Sequence, residues 1–124
     1  MSHKKKILLV DDSITSLFMQ KMVLKHEPYD LVTATDGRNG VELALRERPD
    51  LILMDVVMPR MTGIEALREL RANAATRTTP IILVTTRGEP GNVEVGYETG
   101  CTDYLTKPFE PAELLSKVRD CLGA

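Results

Sequence analysis

The chain has 124 residues, 43% apolar and 27% charged, and its 16 Lys and Arg against 18 Asp and Glu leave a formal net charge of -2. That length suits one compact domain, expected over residues 1–124, with a true hydrophobic core. The charge balance excludes a surface basic enough to make nucleic acid the main partner.

No apolar run approaches the roughly 18 residues of a membrane span. The Lys4-Lys5-Lys6 start has no signal-peptide pattern behind it, so a cytoplasmic protein with no membrane partner is expected. Cys101 and Cys121 fit neither metal-ligand spacing nor a disulfide framework and read as two small buried thiols. His3 and His26 stand alone and read as surface residues.

In chain order, Ile7-Leu8-Leu9-Val10 is a continuous apolar run, the mark of a strand buried on both faces. A helical stretch over 14–26 follows, with Asp12 or Ser13 available as its cap. Tyr29 to Thr35 is a weaker strand nearer an edge, and 38–47 is helical. Pro49 stops that helix before a second buried run, Leu51-Ile52-Leu53-Met54. Thr62 with Glu65 three residues later forms a capping box for a helix over 63–72.

Pro80 precedes a third buried run, Ile81-Ile82-Leu83-Val84. The next helix, 90–99, is the least stable, because Gly91 and Gly96 each cost about 1 kcal/mol relative to Ala in a helix interior. Gly100 is placed to end it in a left-handed conformation. Asp103 to Thr106 is a second weak strand. Pro111 opens the last helix, 111–122, whose Leu114, Leu115, Val118 and Leu122 continue one apolar stripe. Five repeats of strand then helix predict an α/β fold, a doubly wound parallel sheet with helices on both faces.

In an open parallel sheet, ligands bind beyond the carboxyl ends of the strands. Asp11 and Asp12 follow the first strand, Asp55 ends the third, Thr85 ends the fourth and Lys107 follows the fifth. Singly, each has a plain explanation as a cap, a loop acid, a strand hydroxyl or a solvated charge. Together at one rim they point to chemistry. Gathered carboxylates repel and require a cation, and all-oxygen donors suit a hard divalent ion such as Mg2+. A carboxylate is a competent nucleophile toward phosphorus, and phosphoryl transfer needs mainly positioning and charge neutralisation. Metal, the Lys107 ammonium and the Thr85 hydroxyl would each meet one phosphoryl oxygen while Asp55 accepts the group.

The segments Leu9-Val10-Asp11-Asp12-Ser13, Leu53-Met54-Asp55-Val56-Val57-Met58-Pro59 with Gly63, Thr85, and Tyr104-Leu105-Thr106-Lys107-Pro108-Phe109 carry a family resemblance. From Ile7 to Leu122 the chain resembles the receiver domains of bacterial two-component response regulators, of the chemotaxis CheY type. The resemblance implies a five-stranded, flavodoxin-like sheet of order 2-1-3-4-5. It implies Mg2+ held by Asp11, Asp12, Asp55 and the Val57 carbonyl, and a cis Lys107–Pro108 bond. It also implies a switch in which Thr85 moves toward phosphate and Tyr104 swings inward. The donor would be a histidine kinase or phosphotransfer protein docking beside the first helix, where Ile14, Leu17, Pro108 and Phe109 supply apolar contact. A target protein would read the face made by the fourth helix, fifth strand and fifth helix.

Such a chain is no conventional enzyme but a monomeric phosphoacceptor that assists its own phosphorylation and dephosphorylation. With no effector segment after the last helix, it is expected to act alone in a chemotaxis-like pathway. Three residues depart from or tune the pattern. Thr86 stands where a small alanine is frequent and is expected to restrict Tyr104. Val57 and Arg87 are expected to flank the phosphate: apolar Val57, unable to hydrogen-bond an attacking water, is expected to slow dephosphorylation, and the alternative is that Arg87 screens the site and sets the direction instead. Two alternatives stand beside this reading. Haloacid-dehalogenase-like phosphatases share Asp, Thr, Lys and Mg2+, but need a second acid where Val57 stands. A pseudo-receiver scaffold is disfavoured by Asp12, Asp55, Thr85 and Lys107.

Overall fold

Three runs of aliphatic residues set the architecture: Ile7–Val10, Leu51–Met54 and Ile81–Val84 are all at most 1% exposed. The computed structural model describes residues 4–86 and 90–123. Its strands are β1 (Lys5–Val10), β2 (Tyr29–Ala34), β3 (Leu51–Asp55), β4 (Ile81–Thr86) and β5 (Asp103–Lys107). They alternate with α1 (Ile14–Leu24), α2 (Gly37–Glu47), α3 (Gly63–Ala72), α4 (Pro90–Thr99) and α5 (Pro111–Leu122). All strand pairs are parallel, in the order β2-β1-β3-β4-β5.

Strand alternation sorts the buried residues into two cores, one per face of the sheet. Leu8, Val10, Ile52, Met54, Ile81 and Leu83 pack with Val41 and Ala44 of α2 and Leu67 and Leu70 of α3. Ile7, Leu9, Leu53, Ile82, Val84 and Leu105 pack with Leu17 and Leu24 of α1 and Leu114 and Val118 of α5. Among the described residues no helix is long and apolar enough to cross a membrane.

The local signals largely hold. Ser13, rather than Asp12, caps α1, accepting from the Ser16 N–H at 3.1 Å. The capping box of α3 is complete: the Thr62 N–H donates to Glu65 Oε1 and the Glu65 N–H to Thr62 Oγ1. Pro111 sits in the first turn of α5, and Gly100 follows α4 with φ +117°. Helix α1 ends at Leu24, before the expected residue 26. Cys101 is buried but Cys121 is only partly so, which corrects the expectation of two buried thiols. His26 is exposed, and His3 lies outside the described residues.

Two glycines are fixed by close approach. An added Cβ at Gly96 would lie 2.5 Å from Leu83 Cδ1, so the residue that weakens α4 also lets it settle on β4. At Gly63, the first residue of α3, a Cβ would overlap the Asp55 carbonyl oxygen. Backbone cannot give way as a flexible side chain can. Gly63→Ala is therefore expected to cost about 2–3 kcal/mol, in the upper range for overpacking, measured as a lowered urea midpoint. An unchanged midpoint would show that α3 can retreat from Asp55 at no cost.

Candidate functional site

β1 and β3 are adjacent and parallel, with Val10 opposite Met54, so the next residues of each, Asp11 and Asp55, emerge side by side. Asp11 continues the alternation of Ile7 and Leu9, and Asp55 that of Leu51 and Leu53. Both carboxylates therefore turn toward the α1/α5 side. Lys107 ends β5, opposite Thr86, with the alternation of Leu105. Its ammonium reaches across β4 to lie 2.8 Å from Asp11 Oδ2 and 3.2 Å from Asp55 Oδ1. Asp12 is exposed, and carboxylate oxygens of Asp11, Asp12 and Asp55 all lie within 4.8 Å of one another.

The Asp11 carboxylate is fixed by its neighbours. Oδ1 accepts the Ser13 N–H at 2.9 Å, and Oδ2 accepts from Gln20 Nε2 at 3.3 Å as well as from Lys107. Gln20 is a site residue that sequence reasoning missed. It lies on the buried face of α1 with Leu17 and Leu24, and no sequence signal marks it, because α1 is apolar on most sides and its core stripe does not stand out.

Burial, and then the Asp11 charge, push the Asp55 carboxyl up to about 6 from its usual 3.8, against the pull of Lys107. Burial works against the Lys107 ammonium, but Asp11 and Asp55 more than compensate and hold its pKa above the ordinary value. Two carboxylates thus share one ammonium in a partly desolvated rim, with a third carboxylate beside them. The set lacks positive charge and offers only oxygen donors, which fits a hard divalent cation such as Mg2+.

The other expected residues divide between the two faces. Thr85 is 3% exposed and shares the alternation of Leu83, opposite to that of Asp55. Tyr104 pairs with Leu83 and Thr106 with Thr85, making Tyr104 a diagonal, same-face neighbour of Thr85. Thr86 is exposed and faces the other way. It lines a groove of about 410 Å³ with Met19, Lys107, Pro108 and Phe109. This corrects the expectation that Thr86 restricts Tyr104: a one-residue step along a strand moves a side chain to the opposite face. Val57 is 56% exposed. Arg87 lies outside the described residues. The Lys107–Pro108 bond is cis.

Beside the groove, α1 carries an apolar stripe. Ile14 (78%), Phe18 (61%) and Met22 (47%) are exposed at four-residue spacing, next to Met19. Leu17, the other expected contact, is 6% exposed and belongs to the core.

The description "Response regulator receiver domain" matches residues 7–119. The chain is 38% identical over 118 residues to protein PilH of Pseudomonas aeruginosa, covering 95% of this chain and 98% of that protein. It is also 38% identical to the transcriptional regulatory protein PhoP of Bacillus subtilis, but spans only 48% of that longer protein. The structure of the chemotaxis response regulator CheY4 of Vibrio cholerae superposes with a TM-score of 0.89 at 37% identity, covering 96% of this chain and 99% of that one. The receiver domain of a sensor histidine kinase from Pseudomonas aeruginosa, solved with a magnesium ion coordinated in its active site cleft, gives a TM-score of 0.90 at 35% identity, covering 98% of this chain and all of that one.

The raised Asp55 carboxyl has a consequence for stability without metal. The folded protein holds this proton more tightly than the unfolded chain. Its contribution is therefore fully present below pH 3.8 and is lost as pH rises through about 6. Above that, ionised Asp55 costs up to about 3 kcal/mol, from a shift of 3.8 to about 6 at 1.36 kcal/mol per pH unit. Asp55→Asn is therefore expected to raise the urea stability of chelator-treated protein by about 1–3 kcal/mol at pH 7.5 and by less at pH 5. Equal gains at both pH values would contradict this origin.

Proposed function

The chain belongs to the response regulator receiver domain family, and from that premise we propose that it is a signalling switch that accepts a phosphoryl group on Asp55. The observation that carries the reading is the Lys107 ammonium set between Asp11 and Asp55 beside a third carboxylate. The nucleophile is buried, its neighbour is pinned, and a cation already stands where charge would develop.

A histidine kinase or phosphotransfer protein is the donor. The Asp55 carboxylate oxygen attacks phosphorus, the donor's P–N bond breaks, and its electron pair leaves with the imidazole nitrogen. Lys107 neutralises one phosphoryl oxygen and the Thr85 hydroxyl donates to another. Asp11, Asp12, Asp55 and the Val57 carbonyl would hold Mg2+, which when bound supplies the positive charge the three carboxylates lack.

The donor docks on the α1 stripe of Ile14 and Phe18, against Pro108 and Phe109. With Thr85 drawn toward phosphate, Tyr104 moves inward, and a target protein reads the face of α4, β5 and α5. The chain acts as a single receiver domain over residues 1–124, a reading supported by similarity along nearly all of PilH. A chemotaxis-like pathway is supported by the likeness to CheY4.

Incubation with acetyl phosphate and Mg2+ is expected to add one phosphoryl group to the wild type, read by intact mass. Asp55→Asn and chelator-treated protein should gain none. An adduct persisting in Asp55→Asn overturns the acceptor assignment, and failure of the wild type to label favours the scaffold reading. Val57→Asn, which adds a hydrogen-bonding group beside the phosphate, is expected to shorten the adduct's lifetime several-fold. An unchanged decay rate would remove Val57 from the control of dephosphorylation.

A further inference from the structure

Asp103 and Tyr104 are consecutive on β5, and Asp103 joins three elements through one carboxylate. Its Oδ1 accepts the Tyr104 N–H at 2.8 Å and the Tyr97 O–H of α4 at 3.2 Å. Its Oδ2 accepts from the Lys117 ammonium of α5 at 3.1 Å. Both side-chain partners also meet the Tyr104 ring. The Tyr97 ring stands edge-on to it, with centroids 6.0 Å apart and planes at 88°. Lys117 Nζ lies 5.6 Å from its centroid. Burial and the Asp103 charge push the Tyr97 phenol up to about 12.

The half-buried Tyr104 ring is thus held by an aromatic edge and a cation, and both are tethered to the carboxylate beside it. Each contact is weak alone, because the cluster is partly open to solvent. They share one anchor, so loosening it frees all of them together. A ring moving inward, toward the space beside Thr85, leaves both the Tyr97 edge and the Lys117 cation.

We propose that Asp103 is a positioning residue that, through Tyr97 and Lys117, latches Tyr104 outward and so sets how strongly the unphosphorylated state is favoured. This rests on the reading of Tyr104 as the moving element of the phosphorylation switch. The latch is a bias on a two-state equilibrium, and linkage makes that bias reciprocal. Whatever favours the outward ring weakens binding at Asp55, and whatever frees the ring strengthens it. When the inward state is a minor one, apparent affinity scales with its population.

The test uses the full chain labelled with 3-fluorotyrosine, whose three tyrosines give three assignable fluorine resonances. Mg2+ with beryllofluoride serves as the phosphoryl probe. In Lys117→Gln and Tyr97→Phe, the unliganded Tyr104 resonance is expected to lie displaced toward its liganded position. Beryllofluoride should bind these variants about five-fold more tightly than wild type, which is about 1 kcal/mol at 1.4 kcal/mol per tenfold. Loss of packing alone would not tighten binding at a distant site, and Tyr97→Phe keeps the ring, so the fold is safe in at least that variant. If wild-type Tyr104 responds to the probe while the variants start and bind as wild type does, the latch is overturned and the switch stands. If the probe binds wild type without moving Tyr104, the switch reading fails and the latch with it.

Discussion

Asp11 and Asp55 stand side by side at the ends of neighbouring strands, and the Lys107 ammonium lies between them. That juxtaposition makes demands on the rest of the fold. Only a parallel β1–β3 pair delivers both carboxylates to the same rim on the same face. Only a fifth strand beyond β4 brings a lysine whose length spans the gap. The close seat of α3, whose first residue meets the Asp55 carbonyl, fixes the Asp55 backbone from behind. Like charges held together out of water oppose folding. The two fully buried cores flanking the sheet supply the stability that lets the site persist.

The sheet also sets the carboxylate–lysine cluster on one face and the Thr85–Tyr104 pair on the other. Asp11, Asp55, Lys107 and Thr86 turn to the α1/α5 side, where the groove and the apolar stripe of α1 lie. Thr85 and Tyr104 turn to the side of Leu83, against which α4 packs through Gly96. β4 is therefore the divider. Its consecutive threonines face opposite ways, Thr86 into the groove and Thr85 toward Tyr104.

Much of this was legible in the sequence, for identifiable reasons. Continuous aliphatic runs mark strands buried on both faces, and all three such runs are central strands. Caps and turns are local, so Thr62 with Glu65, Pro111 and Gly100 did what their chemistry requires. The acidic residues, Thr85 and Lys107 were readable because type and spacing place them at strand ends. What escaped depends on register or packing. Thr86 does not restrict Tyr104, because strand alternation turns the two side chains to opposite faces. Phe18 was not singled out because α1 is apolar nearly all round, and periodicity there cannot separate the core stripe of Leu17 and Leu24 from the exposed one. Gln20 was overlooked for the same reason.

Gly96 shows how one residue carries two meanings. As a helix residue it is a weakness, because it adds backbone freedom to the unfolded state. As a packing residue it brings α4 against Leu83 and Cys101. Next to it Tyr97 ties the helix to Asp103, and after the helix the Arg71 side chain donates through Nε to the Gly100 carbonyl at 2.8 Å. Arg71 also donates to the Thr76 carbonyl at 3.0 Å, binding the end of α4 to the α3–β4 connection. These ties all lie in the C-terminal half of α4. The helix with the poorest intrinsic propensity is thus held by tertiary contacts, and Tyr97 meets the Tyr104 ring next to the point where the helix backbone lies close to the sheet. A better helix former at position 96 would raise the propensity of α4 and remove the close approach that couples it to β4, so weakness in the helix and contact with the sheet come from the same missing Cβ.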